Sequence, residues 1–338
     1  MTPARKPFST VTVLGDGAWG TALALLLCDK GCAVTLWGAF PDYVETVKWR
    51  RENVKFLPGV KLPAALHLTS DISEAASGPD LIVMAAPAQH VRSVARRLAS
   101  HYGNRAPILT VAKGIENKTL LRPSEIIREI LGRAHIAALS GPSHAEEVSR
   151  KMPTSVSIAS TNTNLAVRVQ QTFTTEYFRP YTTSDIVGVE LGGALKNVIG
   201  IAAGISDGLG FGDNAKSALI TRGLAEITRL GKAMGARQST FAGLSGIGDL
   251  ITTCVSPHGR NHGCGVQIGR GKTLRQILAS TEMVIEGVWT CRSARKLAAA
   301  HEVEIPICEQ VYRVLFRRKS PRTAVRDLML RRTRPEED

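Results

Sequence analysis

Short apolar runs alternate with longer Ala- and Leu-rich or amphipathic segments through the first half of the chain. The run Thr10–Leu14 predicts a buried strand, Ala18–Asp29 a helix and Ala33–Trp37 a second strand. Further strand-like runs lie at residues 80–85, 108–112, 136–140 and 177–181. Strands that alternate with helices in this way predict an α/β fold with a parallel sheet.

The hydrophobic pattern changes near residue 185. Residues 159–171 have the pattern of a helix capped by Asn or Thr. After residue 185, Ala, Leu, Ile and Arg recur at helical spacing in residues 215–234, 274–280, 293–301 and 308–316. No internal repeat or low-complexity linker marks a boundary. The change of pattern alone predicts a sheet domain of residues 1–185 and an all-α domain of residues 186–338.

The turn between the first strand and its helix contains Gly15, Gly17 and Gly20, spaced as G-x-G-x-x-G. The first glycine allows a tight turn, the second lets a pyrophosphate approach the backbone, and the third lets helix and strand pack closely. In this setting the motif predicts a Rossmann-type, doubly wound dinucleotide-binding domain, with the pyrophosphate at the helix N-terminus.

Residues 37–40, at the end of the second strand, lack the Asp or Glu that usually accepts hydrogen bonds from the adenosine ribose. A carboxylate there would repel a 2′-phosphate, so its absence permits NADP(H). No arginine follows immediately, and Lys48, Arg50 and Arg51 are either phosphate ligands or part of a solvated helix. Both NAD(H) and NADP(H) stay open.

Composition narrows the classes of partner. The 338 residues are 43% hydrophobic and 21% charged, as in ordinary globular proteins, and their formal net charge is +14. Such a charge suits nucleic acid, an acidic membrane surface or phosphorylated small molecules. Aromatic residues make up only 5%, and no nucleic-acid-binding motif is recognisable, which argues against nucleic acid. Much of the charge lies in residues 317–319 and 331–334, where we expect a solvated helix face and a frayed end.

Six scattered cysteines lack the density of a disulfide scaffold and fit a reducing cytoplasm. Arg5 and Lys6 precede an apolar run, but residues 15–17 interrupt it, and we expect that no other segment resembles a membrane span. We therefore expect a cytoplasmic protein with no stable membrane insertion.

Lys196 is the first candidate for chemistry. In residues 186–206 the only other charged side chain is Glu190, and an amine that loses its hydration in such surroundings has a lowered pKa. The alternative is a lysine whose ammonium reaches water from a core helix. Gly192 and Gly193 favour catalysis, because glycines in a helix mark the close approach of a backbone or ligand, here the expected nicotinamide and substrate.

The carboxyl ends of the predicted strands, where parallel sheets bind ligands, carry Lys113 and residues 141–143. Lys113 is expected to reach a substrate, unless it is an ordinary loop lysine. Ser143 is expected to cap the helix that begins at Ala145.

A cluster of potential ligands follows the glycine-rich residues 243–249. Four of them suit zinc: Cys254, His258, His262 and Cys264. Their spacing, C-x3-H-x3-H-x-C, matches no common zinc pattern. In a competing interpretation the guanidinium of Arg260 binds a phosphate and the amide of Asn261 lies beside it. A third interpretation is a polar surface loop without a ligand.

Seven motifs, taken in chain order, resemble those of the bacterial NAD(P)-dependent glycerol-3-phosphate dehydrogenases. They lie at residues 15–20, 113–114, 140–142, 192–197, 248–249, 259–261 and 286–287, and the resemblance covers residues 10–320 approximately. It implies a cytoplasmic homodimer that interconverts dihydroxyacetone phosphate and sn-glycerol 3-phosphate with NAD(H) or NADP(H). It also implies that the enzyme supplies glycerophospholipid synthesis and requires no metal.

The resemblance assigns roles to the matching residues, with Lys196 as the general acid/base. The substrate contacts that it implies are Lys113, Gly141, Ser143, Lys196, Asn197, Asp249, Gly259, Arg260 and Asn261. The cofactor contacts that it implies, with the three glycines of the turn, are Gly15, Gly17, Ala18, Trp19, Gly20, Lys113, Ala145, Arg260, Val284 and Glu286.

Three positions depart from the family's pattern. Asp16 stands where a small residue is usual, Gly259 where serine is common, and Ala39 where His or Arg is frequent. Asp16 places a negative charge near the pyrophosphate path unless its side chain faces away.

Three other functions stay open from the residues. A different ketoacid or β-hydroxyacid reductase would use the same glycine turn with a helical domain. A basic zinc-containing protein would use the Cys and His cluster, and a Rossmann scaffold without activity would bind the dinucleotide alone.

Overall fold

The structure is a computed structural model and describes residues 6–103, 106–333 and 335–336. Arg5 and Arg334, which belong to the basic segments considered above, lie outside the described residues. Within the described part, a mostly parallel sheet with its helices comes first and a helical part follows, which confirms the predicted fold class.

One sheet contains all the strands of the described residues. They are β1 (Thr10–Leu14), β2 (Ala33–Trp37), β3 (His67–Thr69), β4 (Leu81–Met84), β5 (Ile108–Thr110), β6 (Ile136–Ser140), β7 (Thr154–Ala159) and β8 (Phe178–Thr183). Their spatial order is β3-β2-β1-β4-β5-β6-β7-β8, and neighbours are parallel except that β7 runs antiparallel to β6. The order reverses between β1 and β4, which is where doubly wound sheets bind dinucleotides.

Helices cover both faces of this sheet and, with the loops between them, form the rest of the described chain. Those within the sheet region are α1 (Ala18–Asp29), α2 (Pro41–Arg50), α3 (Ile72–Ala75), α4 (Val91–Ala99), α5 (Pro123–Leu131), α6 (Ala145–Val148) and α7 (Thr163–Phe173). Those after it are α8 (Ile186–Gly208), α9 (Asp213–Ala233), α10 (Gln238–Phe241), α11 (Asp249–Val255), α12 (Arg260–Gly269), α13 (Leu274–Ala279), α14 (Glu286–Ala300), α15 (Pro306–Phe316) and α16 (Pro321–Met329).

The central strands are apolar along their whole length because neither face of the sheet meets water. Every residue of β4 and of β6 is buried, as expected for strands covered on both sides. The position of the sheet's core thus follows directly from the apolar runs in the sequence.

The structure adds β3 and β7 to the predicted strands and corrects one helix. Residues 159–171 are predicted to be helical, but Ala159 ends β7 and α7 begins only at Thr163. The side chain of Asn162 accepts a hydrogen bond from the N–H of Leu165 at 3.1 Å and fixes the start of α7. The residues of β7 alternate largely between buried and half-buried, which is a strand pattern.

α8 is the core helix of the C-terminal part. This helix of 23 residues is long and apolar enough to cross a membrane, with a mean hydropathy of 1.5. The prediction that no further segment resembles a membrane span is therefore wrong. However, 94% of its apolar window is buried inside the protein. The apolar run therefore serves the core, and α9, α11, α12 and α14 pack around it.

Glycines bring α12 unusually close to α8. A Cβ on Gly204 of α8 would lie 2.9 Å from the Cα of Gly265, and one on Gly269 would lie 2.8 Å from the Cα of Gly208. Real Cβ atoms do not approach backbone so closely, so only glycine allows this contact. The packing places the first residues of α12 beside the middle of α8.

Candidate active site

A cavity of about 530 Å³ lies between the carboxyl ends of β1, β4 and β5 and the helices α8, α12 and α14. This volume is in the range of sites for small molecules and cofactors. The predicted cofactor residues that line it are Gly15, Gly17, Ala18, Trp19, Gly20, Lys113, Ala145, Arg260, Val284 and Glu286. The predicted substrate residues that line it are Lys113, Ser143, Lys196, Asn197, Gly259, Arg260 and Asn261. The other two predicted substrate residues, Gly141 and Asp249, lie behind the lining and contact Lys113.

The glycine turn has the geometry that a pyrophosphate requires. Gly15 has a φ of +127°, and a Cβ there would lie 2.8 Å from the carbonyl carbon of Ala85, so a side chain is excluded where β1 meets β4. A Cβ on Gly20 would overlap the carbonyl oxygen of Gly15. A Cβ on Gly17 would meet nothing within 4 Å, which leaves space beside the N-terminus of α1.

Four polar atoms of lining residues are buried without a hydrogen-bond partner in the described part of the chain: Asp16 Oδ2, Trp19 Nε1, His144 Nε2 and Glu286 Oε2. The other carboxylate oxygen of Glu286 accepts the N–H of Ala88 at 2.9 Å. Burial raises the pKa of Glu286 to about 7, although the Ala88 amide and Arg260 oppose the rise. Buried polar groups are rarely left unpaired, so these atoms fit a cavity that a ligand completes.

Lys196 lies on α8 with 7% of its surface exposed. Its Nζ donates to Oδ1 of Asp249 and, at 2.6 Å, to Oγ1 of Thr253. These acceptors stand one turn apart on α11 and share its face toward α8. The ammonium lines the cavity and does not reach bulk water, which argues against the alternative of a lysine extended to the surface.

The surroundings of Lys196 bring its pKa close to neutral pH. Burial lowers the pKa of Lys196 to about 8; Asp249 opposes this effect and Lys113 adds to it. Burial would raise the pKa of Asp249, but the two ammonium groups outweigh it and hold that pKa below its usual value. Near neutral pH this lysine therefore has access to both the ammonium and the amine form, as a general acid/base needs.

Lys113 connects the end of β5 with the helical part. Its Nζ donates to the carbonyl oxygen of Gly141 at 2.8 Å, to Oγ of Ser143 at 3.2 Å and to Oδ2 of Asp249 at 2.9 Å. Asp249 thus bridges the two amines of the site.

The prediction that Ser143 caps α6 is wrong. The residue at the cap position is His144, whose side chain makes no capping bond, and Oγ of Ser143 donates to the carbonyl oxygen of Gly141 at 2.8 Å. The hydroxyl is used within its own loop and by Lys113, so it holds the loop at the cavity instead of starting the helix.

The glycines before Lys196 approach protein atoms and not the cavity, which corrects the expectation that they admit the nicotinamide and substrate. A Cβ on Gly192 would overlap the carbonyl oxygen of Ser245, and one on Gly193 would overlap the hydroxyl of Ser140. They let α8 lie against the segment before α11 and against the end of β6. Their effect on Lys196 is to set its position.

A chain of amide hydrogen bonds fixes the neighbouring residues. Nδ2 of Asn197 donates to the carbonyl oxygen of Lys113 at 2.9 Å, and its Oδ1 accepts from Nδ2 of Asn261 at 2.9 Å. Oδ1 of Asn261 in turn accepts the N–H of Gly287 at 2.8 Å. This series of hydrogen bonds joins the end of β5 to α8, α12 and α14.

Arg260 is the first residue of α12, and its exposed side chain lines the cavity beside Asn261. Gly259 precedes it, and a Cβ there would lie 3.2 Å from the carbonyl oxygens of Ser256 and Thr253. The loop therefore leaves little space for the serine that is common at this position.

Sequence reasoning missed Thr253, which bonds to Lys196, and His144, and it considered His258 only as a zinc ligand. Both histidines line the cavity, with ring centroids 6.0 Å apart. For Thr253 a signal was present, because Asp249 and Thr253 are four residues apart and share one face of any helix. No sequence pattern shows that the two histidines lie near each other, since they are 114 positions apart in the chain.

The cluster of Cys254, His258, His262 and Cys264 does not form a metal site in this structure. Among the described residues, no group of three or more His, Cys, Asp or Glu side chains is arranged to hold a metal ion. Burial raises the pKa of Cys254 to about 12 and that of Cys264 to about 11, which disfavours the thiolates that zinc needs. Nε2 of His262 lies 2.7 Å from Oδ2 of Asp207.

Two family models match the chain. The one described as NAD-dependent glycerol-3-phosphate dehydrogenase N-terminus matches residues 10–166, and the corresponding C-terminus matches residues 185–326. A glycerol-3-phosphate dehydrogenase [NAD(P)+] of Citrifermentans bemidjiense is 52% identical over 96% of this chain and 98% of its own. One of Pelotomaculum thermopropionicum is 51% identical over 95% and 93%. The crystal structure of a glycerol-3-phosphate dehydrogenase from Coxiella burnetii superposes with a TM-score of 0.93, at 36% identity, over 96% of this chain and 99% of its own.

Proposed function

The chain belongs to the NAD-dependent glycerol-3-phosphate dehydrogenase family, and we propose that it interconverts dihydroxyacetone phosphate and sn-glycerol 3-phosphate. The single observation that carries this proposal is the position of Lys196. Its buried amine lines the same cavity as the glycine turn, so a proton donor and a dinucleotide cradle face one space. A reductase of a small carbonyl compound needs both.

The residues of the cavity fit a nicotinamide dinucleotide. The open space at Gly17 and the N-terminus of α1 suit its pyrophosphate, and Trp19 and Glu286 offer polar atoms that lack partners in the described residues. When bound, the reduced nicotinamide supplies a hydride to the carbonyl carbon of the substrate.

Lys196 supplies the proton. In the reduction its ammonium donates a proton to the carbonyl oxygen as negative charge develops there, and the product is an alcohol. In the oxidation the neutral amine takes the proton of the hydroxyl group. A lysine whose pKa is lowered to about 8 serves both directions, because neither form is strongly disfavoured near neutral pH.

Asp249 and Thr253 act as positioning residues for this amine. The carboxylate of Asp249 holds Lys196 on one oxygen and Lys113 on the other, and Oγ1 of Thr253 fixes a second direction of the Lys196 ammonium. The remaining donor direction of Lys196 is available for the substrate oxygen. Lys113, on the opposite side of the carboxylate, polarises or anchors the substrate nearby.

The phosphate of the substrate is held by Arg260 and Asn261. A guanidinium donates two parallel charge-assisted hydrogen bonds to a phosphate, and Arg260 carries an exposed guanidinium at the cavity. The amides of Asn197 and Asn261 are oriented by their mutual bond, and so they orient the carbon chain between the phosphate and Lys196.

The cellular role follows from the reaction. We propose that the enzyme works in the cytoplasm as a homodimer, chiefly in the direction of reduction, and supplies sn-glycerol 3-phosphate to glycerophospholipid synthesis. The family resemblance supports this part of the proposal. So do the six scattered cysteines, because cysteines without a disulfide pattern are typical of proteins in a reducing compartment.

A spectrophotometric assay tests the function. Absorbance at 340 nm is followed with dihydroxyacetone phosphate and NADH or NADPH in turn, and with 6-phosphogluconate (oxidised with NAD or NADP) and ketopantoate as competing substrates. We expect turnover of dihydroxyacetone phosphate to exceed that of the other two by at least about 100-fold in kcat/KM. Binding of a reduced cofactor without turnover of any triose phosphate would instead support the inactive Rossmann scaffold.

A further inference from the structure

The end of β2 lacks the carboxylate that dinucleotide-binding sheets usually place there. Trp37 is the last residue of β2, and its buried indole donates to the carbonyl oxygen of Ser70 at 3.0 Å. Gly38 and Ala39 follow, and neither has a polar side chain. The missing group normally accepts hydrogen bonds from the adenosine ribose.

The carboxyl group of Asp16 occupies this place. Asp16 lies in the glycine turn after β1, and β1 is the neighbour of β2 in the sheet. A Cβ built on Gly38 would lie 2.8 Å from Cγ of Asp16 and still closer to its Oδ2. A side chain on residue 38 would therefore overlap this carboxylate. A carboxylate that follows β1 thus lies where dinucleotide-binding sheets usually have one that follows β2, and the missing side chain of Gly38 leaves space for it.

The backbone of Asp16 is held firmly while one oxygen of its carboxylate lacks a hydrogen-bond partner in the described residues. Its carbonyl oxygen accepts Nδ2 of Asn53 at 2.7 Å, and Asn53 is itself fully buried and bonded to the hydroxyl of Tyr43 at 2.6 Å. Oδ2 of Asp16 is buried and has no hydrogen-bond partner among the residues that the structure describes. Asp16 nevertheless lines the cavity. A buried carboxylate oxygen without a donor is costly, so a donor from a ligand would be favourable here.

The charges nearby leave this carboxylate ionised. Burial raises the pKa of Asp16 to about 6, although its own backbone N–H and Lys55 oppose the rise, so the anion predominates at neutral pH. The ammonium of Lys55 is paired with Glu282 at 2.6 Å. Arg97 is the competing feature, because its guanidinium lines the cavity 4.8 Å from the ring centroid of Trp37 and would suit a 2′-phosphate.

We propose that Asp16 accepts hydrogen bonds from the adenosine ribose hydroxyls and makes this enzyme prefer NAD(H) to NADP(H). A 2′-hydroxyl donates to a carboxylate, whereas a 2′-phosphate is repelled by it. The inference rests on the proposed function in one respect, namely that the cavity binds a nicotinamide dinucleotide. It predicts the choice between NAD(H) and NADP(H), which the residues at the end of β2 leave open.

Isothermal titration calorimetry with NADH and with NADPH tests the proposal without requiring turnover. The proteins are the unchanged chain, Asp16→Asn, which keeps the shape of the side chain, Asp16→Ala, and Asp42→Asn as a matched control. Asp42 is an exposed acid in the first turn of α2, near the same strand end. A fifth protein, Arg97→Ala, tests the competing cation.

We expect the unchanged chain to bind NADH at least about tenfold more tightly than NADPH, because one cofactor gains a charge-assisted bond and the other meets repulsion. Both Asp16 variants should reduce that ratio at least about tenfold, and Asp42→Asn should leave it within about twofold. Arg97→Ala should retain the preference for NADH.

A tighter Kd for NADPH in the unchanged chain would overturn the proposal, as would an unchanged ratio in folded Asp16→Asn. A preference for NADPH that disappears in Arg97→Ala would assign the selection to the guanidinium and have the same effect. Failure of the proposed function looks different. In that case NADH binds in an Asp16-dependent way, but dihydroxyacetone phosphate is not reduced.

Discussion

The pH dependence of the two directions of the reaction follows from the environment of Lys196. Burial lowers the pKa of this lysine to about 8, and the form that reacts differs between the directions. Between pH 7 and pH 10 the ammonium fraction falls about 100-fold for such a group, so kcat/KM for reduction should fall by about the same factor. For oxidation kcat/KM should rise about tenfold per pH unit up to about pH 8 and then level off.

The assay is the 340 nm change in both directions from pH 6 to pH 10, at saturating cofactor so that titration of Glu286, whose pKa is raised to about 7, does not dominate. Unfolding does not explain a loss above pH 8. In the unfolded chain Lys196 titrates near its ordinary value of 10.5, so between about pH 8 and 10.5 the unfolded state binds more protons and this group makes the fold more stable as pH rises.

A variant gives the same test a second readout. Asp249→Asn removes the charge that opposes the lowering of the Lys196 pKa, so the break in both profiles should move below that of the unchanged enzyme. A reduction rate that stays constant to pH 10, or a break near the ordinary lysine value, would refute the role of burial. A break that does not move in Asp249→Asn would refute the role of this carboxylate.

The other predictions concern the phosphate, the positioning of Lys196 and helix packing. Arg260→Ala should lower kcat/KM for dihydroxyacetone phosphate about 100-fold but affect unphosphorylated dihydroxyacetone much less, and an equal loss with both would contradict a phosphate role. Thr253→Val should lower kcat about tenfold because Lys196 loses an acceptor at 2.6 Å, whereas Thr252→Val removes only a bond within its own helix and should not. Gly204→Val should lower the free energy of unfolding in urea by about 3 kcal/mol because its Cβ overlaps the backbone of α12. Gly263→Ala, in α12 with open space around its Cα, should be neutral or slightly stabilising.

Much of the fold could be predicted because its elements are local. The runs that form β1, β2 and β6 have the observed bounds, since each is an apolar segment bounded by turn residues. β3 is only three residues long and has no period to detect. β7 was not predicted, and its last residue, Ala159, was assigned to the helix that follows; the capping bond of Asn162 shows that α7 begins only at Thr163.

The candidate site was predictable in its members and not in their connections. The apolar surroundings of Lys196 are a property of its own helix and can be read from the chain. Its partner Asp249 comes from a different helix, and Lys113 comes from the end of a strand. That one carboxylate bridges both amines depends on how α8 packs against α11, and no single segment encodes that packing. The position of Asp16 at the end of β2 depends in the same way on the pairing of β1 with β2.

The most direct test of the central claim is the turnover of Lys196→Met, which removes the amine and keeps an apolar side chain of similar length. The measurement is kcat for reduction of dihydroxyacetone phosphate, together with the Kd of the preferred cofactor and the urea midpoint, and exposed Lys232→Met serves as the control. The account predicts that kcat falls by a factor of about 10² to 10⁴ in Lys196→Met while cofactor binding and folding persist, and that Lys232→Met is unaffected. A folded, cofactor-binding Lys196→Met that retains turnover within about threefold of the unchanged enzyme would contradict it.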